Sequence, residues 1–359
     1  MCQRVRLRRT GLLLGGVLLA WLLGTAVITL LAAGPAGAAG SVRAPGAWVR
    51  FRVMTGTLRA AAVFENQIAW SQYAACGGTE RGKNGRIPEE PWDICLYDLA
   101  TGELTTAYAG GNLTNPDLDA AWLVLDKNAY SGSVIAHHRE SGADVMLAKA
   151  ADYRAAPRVA GSWLWYKPDG QALWLYDLAQ GTWRLVAADA DGGAVSGDRM
   201  VWSAAAGGDY DVFGLDLQTQ QPFSVTNRPG DEYGVVMDGD VVLWLWQGDI
   251  RGLDLATGTP LTVTADTAVQ RSLAFSNGIA AWLDDRHGGW DVYARDLATG
   301  HEWRVTPTTD PGVIQTLDIW DGLIVWTRGD VFWEGDAIWA ARLTTEAVYL
   351  PLILANREP

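Results

Sequence analysis

Residues 277–306, NGIAAWLDDRHGGWDVYARDLATGHEWRVT, spell three short β-strands joined by two turns. IAAWL is apolar and carries a tryptophan. DDRHGG is polar and Gly-rich, the signature of a hairpin loop. WDVYARDL alternates bulky and polar residues with period two, as a half-buried strand does. ATG is a tight turn whose glycine accepts positive φ. HEWRVT is the third strand. This unit constrains the chain more than any other feature because it recurs, and recurrence at a fixed period defines a repeat architecture.

The first unit contains QIAW ending at Trp70 and WDICLYDLATGE at 92–103, with the polar insertion SQYAACGGTERGKNGRIPEEP between them. The second, 131–150, has the hairpin shape but no DLATG turn, and His137 falls at or beside the tryptophan slot. Further units lie at 161–181, 197–220, 239–258, 277–306 and 321–346, the last with Arg342-Leu343 in place of Asp-Leu. The tryptophans of the second strand sit at 165, 202, 244, 282 and 326, separated by 37, 42, 38 and 44 residues. A period of about 40 is that of a four-stranded propeller blade. The fourth strand of each unit precedes the tryptophan strand, as RSLAFSN (271–277) and GVIQTLDIW (312–320) do. The expected fold is all-β, a single β-propeller of seven four-stranded blades, or six if the degenerate second unit merges with a neighbour. WVRFRVM (48–54) is expected to complete the last blade and join the two ends of the chain.

The motif formed by Trp282, Asp285, Arg286, Gly288, Asp291, Tyr293, Asp296, Leu297, Thr299 and Gly300 resembles the WD40-like repeats of TolB-type propellers, which occur in exported bacterial proteins. The resemblance covers about residues 58–345 and implies the fold. It leaves function open, because this repeat type serves many roles.

Composition narrows the rest. Nineteen tryptophans and only 19% charged residues describe a well-packed β protein, not a disordered one. The net charge is −13, and about −17 once the four arginines of residues 1–10 are set aside, so nucleic acid is an unfavourable partner. Those arginines precede an uncharged apolar run, 11–33, and small residues at Ala36 and Ala38. Basic, apolar, small is the order of a secretory signal, and the run is also long enough to cross a bilayer as an anchor. Either outcome puts the remaining chain outside the cytoplasm, secreted, periplasmic or at the cell surface, with membrane contact only through an uncleaved leader. The boundaries expected are 1–38 leader, 39–47 linker, 48–345 propeller and 346–359 a tail or edge strand.

No spacing of the chain's chemistry-bearing residues matches a catalytic or metal site. Asp93/Asp98, Asp211/Asp216, Asp249/Asp254 and Asp291/Asp296 are paired five apart, which on a strand points them to opposite faces. The second of each pair precedes a turn and is expected to bond backbone N–H groups. His137, His138, His287 and His301 show no H-x-x-x-H spacing. DADG (189–192) is read as a turn, not a calcium loop. No cofactor is expected. Most tryptophans are explained by packing between blades; Trp92, Trp290 and Trp333 adjoin hairpin loops and are candidates for stacking on a ligand. Arg81 and Arg86 in the first insertion are further binding candidates, because recognition residues concentrate on loops over rigid scaffolds. Cys76 and Cys95 are expected to pair in an oxidising compartment, with two free buried thiols as the alternative.

The expected role is a non-catalytic binding or scaffold module for a protein or glycan at the cell envelope. The alternative is a propeller glycoside hydrolase or lyase acting on extracellular polysaccharide. N-terminal sequencing of the exported protein is expected to place the mature terminus close to residue 39; an intact leader on a membrane-bound product would instead establish the anchor.

Overall fold

The computed structural model describes residues 47–73, 75–77, 92–127, 133–149, 156–306, 313–329 and 335–344. Every regular element among them is a β-strand. Five separate four-stranded antiparallel sheets follow one another along the chain. They run from Leu113–Leu118 to Asp144–Lys149 (blade 2), Arg158–Ala160 to Thr182–Ala187 (blade 3), Ala190–Ser196 to Pro222–Ser224 (blade 4), Glu232–Asp238 to Thr259–Thr262 (blade 5) and Gln270–Ser276 to Glu302–Arg304 (blade 6). A seven-stranded sheet supplies two more blades by sharing one long strand, Ala47–Phe64. Residues 58–64 of it pair with Gln67–Tyr73 as the inner strand of blade 1. Residues 47–55 pair antiparallel with Gly335–Thr344 as the outer strand of blade 7, whose inner strand is Val313–Trp320.

The described chain is therefore a seven-bladed propeller, closed by the segment expected to close it. The seven inner strands contact one another in cyclic order, blade 1 against blades 2 and 7, which makes the ring. The outer position of blade 7 is filled by residues 47–55; the C-terminal stretch 346–359 lies outside the described residues.

Local chemistry explains the turns. Asp98, Asp177, Asp216, Asp254 and Asp296 each accept two backbone N–H groups from the residues two and three ahead, an Asx turn that ends the third strand. Gly300 closes one of these turns at φ 71°, a conformation that a side chain would strain. In blade 2 the position belongs to His138, whose Nδ1 accepts the Ser141 N–H at 3.2 Å. A ring nitrogen thus does the work of the missing aspartate.

Seven apolar clusters fill the seven interfaces between blades. The fourth residue of each second strand faces the preceding blade. It is Trp70, Trp202, Trp244, Trp282 and Trp326 in five blades, all buried. The sequence reading needs two corrections here. In blade 3 the slot holds Tyr166, and Trp165 is one residue out of phase. A one-residue step on a strand reverses the face, so Trp165 packs toward blade 4, with its Nε1 donating to Gly193 O at 2.8 Å. In blade 2 the slot holds Leu125, on Trp122–Lys127, whereas His137 lies on the third strand, Ser133–His138.

Trp282 is fully buried and its indole N–H donates to Asp284 Oδ2 at 3.0 Å. Trp282→Ala is expected to cost about 3–5 kcal/mol, as truncation of large buried aromatics does. Urea unfolding checks this; a loss below about 1 kcal/mol would contradict an interface role.

Candidate functional site

Each inner strand ends in a tight turn, and these turns share one end of the propeller with the Asx turns. The link is a repeated hydrogen bond: the N–H of the residue after the turn aspartate donates to a carbonyl of the inner-strand turn, as from Leu297 to Gly278 and from Leu255 to Asp240, both at 2.8–2.9 Å. Counting from that end places the side chains that reach the axis. At the mouth stand Phe64, Asp119, Ala160, Ser196, Asp238, Ser276 and Trp320. Two residues inward stand Ala62, Asp117, Arg158, Ala194, Val236, Ala274 and Asp318. With the exception of Ala62, all of these line an axial channel of about 760 Å³.

Charge is confined to one side of the inner ring. Asp318, Asp117 and Arg158 come from blades 7, 2 and 3, while blades 4, 5 and 6 contribute small apolar side chains. Arg158 Nη1 lies 3.4 Å from Asp117 Oδ1. Asp117 Oδ2 accepts the Val159 N–H at 2.9 Å and Asp318 Oδ2 accepts the Val63 N–H at 2.8 Å. Burial pushes the Asp318 carboxyl up to about 6, against the pull of Arg158, and raises Asp117 as well. Burial alone would lower the Arg158 guanidinium; Asp117 and Asp318 together hold it above its ordinary value.

The other carboxylates of the channel are also acceptors for backbone. Asp119 Oδ2 takes the Gly161 N–H at 2.7 Å, Asp191 Oδ2 takes that of Gly234 at 2.8 Å, and Asp238 takes that of Asn277. Ser196 and Ser276 do the same for Gly239 and Asp321. Asp191 belongs to the DADG segment, which begins the inner strand of blade 4. Among the described residues no group of three or more His, Cys, Asp or Glu is arranged to hold a metal ion.

The residues singled out in the sequence fall elsewhere. Trp92 is fully buried, with the Arg59 guanidinium 4.0 Å above its ring and Tyr73 against its edge, so it offers no exposed stacking face. Trp290 is partly exposed and covered by Arg271 at 3.8 Å. Trp333, Arg81 and Arg86 lie outside the described residues. Cys76 and Cys95 form a disulfide that ties the base of the first hairpin to its returning strand. Sequence reasoning missed Asp117, Arg158 and Asp318. Their signal is available only after the inner strands are aligned on their turns, where charge replaces alanine or valine.

No family model and no curated protein matches the sequence. Solved structures do. The β-propeller domain of the trilobed protease from Pyrococcus furiosus, which has an open velcro topology, aligns over 81% of this chain and 98% of its own at 10% identity and a TM-score of 0.59. The acylaminoacyl peptidase from Pyrococcus horikoshii aligns over 80% of this chain at 11% identity and a TM-score of 0.59, and the match spans only 52% of the peptidase. TolB from Acinetobacter baumannii aligns over 70% of this chain and 76% of its own at 16% identity and a TM-score of 0.44. The fold is thus a β-propeller, and TolB structures are among those it is similar to.

The raised Asp318 carboxyl has a testable consequence. The folded chain holds this proton more tightly than the unfolded chain, so the contribution of Asp318 to stability is complete below about pH 4 and is lost as pH rises through about 6. Asp318→Asn keeps an acceptor for the Val63 N–H and removes the loss. It is expected to match or exceed wild-type stability at pH 7 and to flatten the stability profile between pH 4 and 6. Urea unfolding across that range checks it; an unchanged slope would show that Asp318 titrates as an ordinary carboxylate.

Proposed function

We propose that this chain is an exported, non-catalytic propeller that binds a protein or glycan partner at the cell envelope. The observation that carries the reading is the state of the channel carboxylates. Asp117, Asp119, Asp191, Asp238 and Asp318 each accept a backbone N–H from the following blade or, for Asp318, from blade 1 across the ring closure. Holding neighbouring blades in register accounts for these carboxylates in the channel without a catalytic role. A rigid ring that displays loops is, by contrast, a suitable recognition frame.

Export is supported by the order of the leader and by the Cys76–Cys95 disulfide, since such bonds persist outside the reducing cytoplasm. The chain is divided as leader 1–38, linker 39–47, propeller 48–345 and tail 346–359, and the leader is either removed or kept as an anchor. Within the propeller, the insertion between Tyr73 and Trp92, with Arg81 and Arg86, is assigned to the recognition surface; Trp290 and Trp333 adjoin the equivalent hairpins of blades 6 and 7.

The hydrolase or lyase reading draws on one observation, the raised carboxyls of Asp117 and Asp318 beside Arg158 in an open channel. A single experiment separates the two. The protein without its leader, with and without residues 79–90, is immobilised and exposed to envelope extract and to envelope polysaccharides. Saturable capture of one partner by the full propeller, weakened by the deletion, is expected. Equal capture by both forms would remove the insertion from the site, and release of shortened polysaccharide would overturn the non-catalytic reading.

A further inference from the structure

The interface between blades 1 and 2 departs from the other six at one position and carries a second polar side chain beside it. In six blades the residue after the turn aspartate, or after Arg342 in blade 7, is a leucine: Leu99, Leu178, Leu217, Leu255, Leu297 and Leu343. Its N–H donates to the inner-strand turn, and its side chain packs into the cluster shared with the preceding blade. Blade 2 makes the same backbone bond, from the Arg139 N–H to Ala121 O at 2.8 Å, but the side chain is a guanidinium. Two residues earlier, where Tyr97 and Tyr176 fill their interfaces, blade 2 carries His137.

A cavity of about 210 Å³ stands where those fillers would be. Its walls are Leu96 and Ala107 of blade 1, Leu118 and Leu123 of blade 2, and the two polar side chains His137 and Arg139. His137 Nδ1 lies 2.8 Å from Asp144 Oδ1, and Tyr108 of blade 1 donates its hydroxyl to Asp144 Oδ2 at 2.8 Å. That bridge fixes the imidazole across the interface, with Nδ1–H toward Asp144 and Nε2 as the acceptor of the neutral ring. Arg139 donates to Asp119 O and to Gln67 Oε1, which anchors the guanidinium and uses only part of its five N–H groups. Apolar walls with one fixed guanidinium match a ligand that is apolar at one end and an anionic acceptor at the other. The volume lies between the ~150 Å³ that takes up benzene and the ~300 Å³ at which drug-sized sites begin.

We propose that this inter-blade cavity binds a small monocarboxylic acid with a compact apolar body. The carboxylate meets Arg139, and the body rests against Leu96, Ala107, Leu118 and Leu123. The site shares Leu118 with the lining of the axial channel, but its polar groups, Arg139 and His137, do not line that channel.

Benzoate is the probe, followed by calorimetric titration and by the unfolding temperature of the full propeller, with benzamide as the uncharged comparison. Arg139→Leu installs the side chain that six blades already use, so it is expected to fold, to fill the cavity and to raise the unfolding temperature. Ala107→Leu fills the same space from the facing blade and serves if the first variant fails to fold. The expected result is saturable benzoate binding by wild type, at least about tenfold weaker for benzamide and for either filled variant. Equal benzoate affinity in wild type and a filled variant would overturn the proposal. So would the absence of saturable binding up to ~10 mM with stabilised filled variants, which would make the cavity a packing vacancy.

Discussion

The inner strand of every blade is a sheet edge, and a sheet edge leaves backbone N–H groups without a ladder partner. The ring solves this with side chains of the neighbouring blade. Asp117 serves Val159, Asp119 serves Gly161, Ser196 serves Gly239, Ser276 serves Asp321, and Asp318 serves Val63 across the closure. These bonds fix the rotation of one blade against the next. The apolar clusters between blades supply most of the burial, but burial is tolerant of sliding. Directional bonds at the axis are not, and the calibre of the channel follows from them. The same arrangement gives the aspartates of the channel a structural role, each serving the backbone of the next blade.

Much of the fold was legible because its signals are local. The Asx turn needs only an aspartate and a following Gly or Gln, and its appearance after a period-two strand marks the third strand of a blade wherever it occurs. WVRFRVM stands as a lone strand ahead of the first repeat, which makes it available to complete the last blade. Phase was not legible. WLWY in blade 3 offers two tryptophans and a tyrosine at consecutive positions, and only the pairing of Ala160 with Trp163 decides which of them faces blade 2. The tryptophan that looked like the repeat element belongs to the other face. Blade 2 failed differently. Its third strand, ending in two histidines, resembles nothing in the sister blades, so the strand before it was overlooked and the histidine was assigned to the wrong strand.

The sites were less legible than the fold for a physical reason. Asp117, Arg158 and Asp318 sit on inner strands, which are the least similar segments from blade to blade. Pro116, Pro157 and the bulges at 59–61, 114–117 and 271–274 disturb their alternation. A bulge adds a residue to one strand and so scrambles any count made from the hairpin side. Counted from the turn side, the charged positions align at once. His137 and Arg139 were visible as letters, but their meaning depends on which residues the other blades place there, and that comparison requires the correct strand assignment.

The long strand Ala47–Phe64 belongs to two blades, and Ala47 lies opposite Thr344 in the pairing. The propeller therefore has no structurally distinct first or last blade. Covalent order and spatial order are decoupled at this seam. A chain rejoined between residues 47 and 344 and reopened at another hairpin would form the same sheets and the same interfaces. Duplication and shuffling of such units can thus move the ends of the chain around the ring without altering what the ring displays.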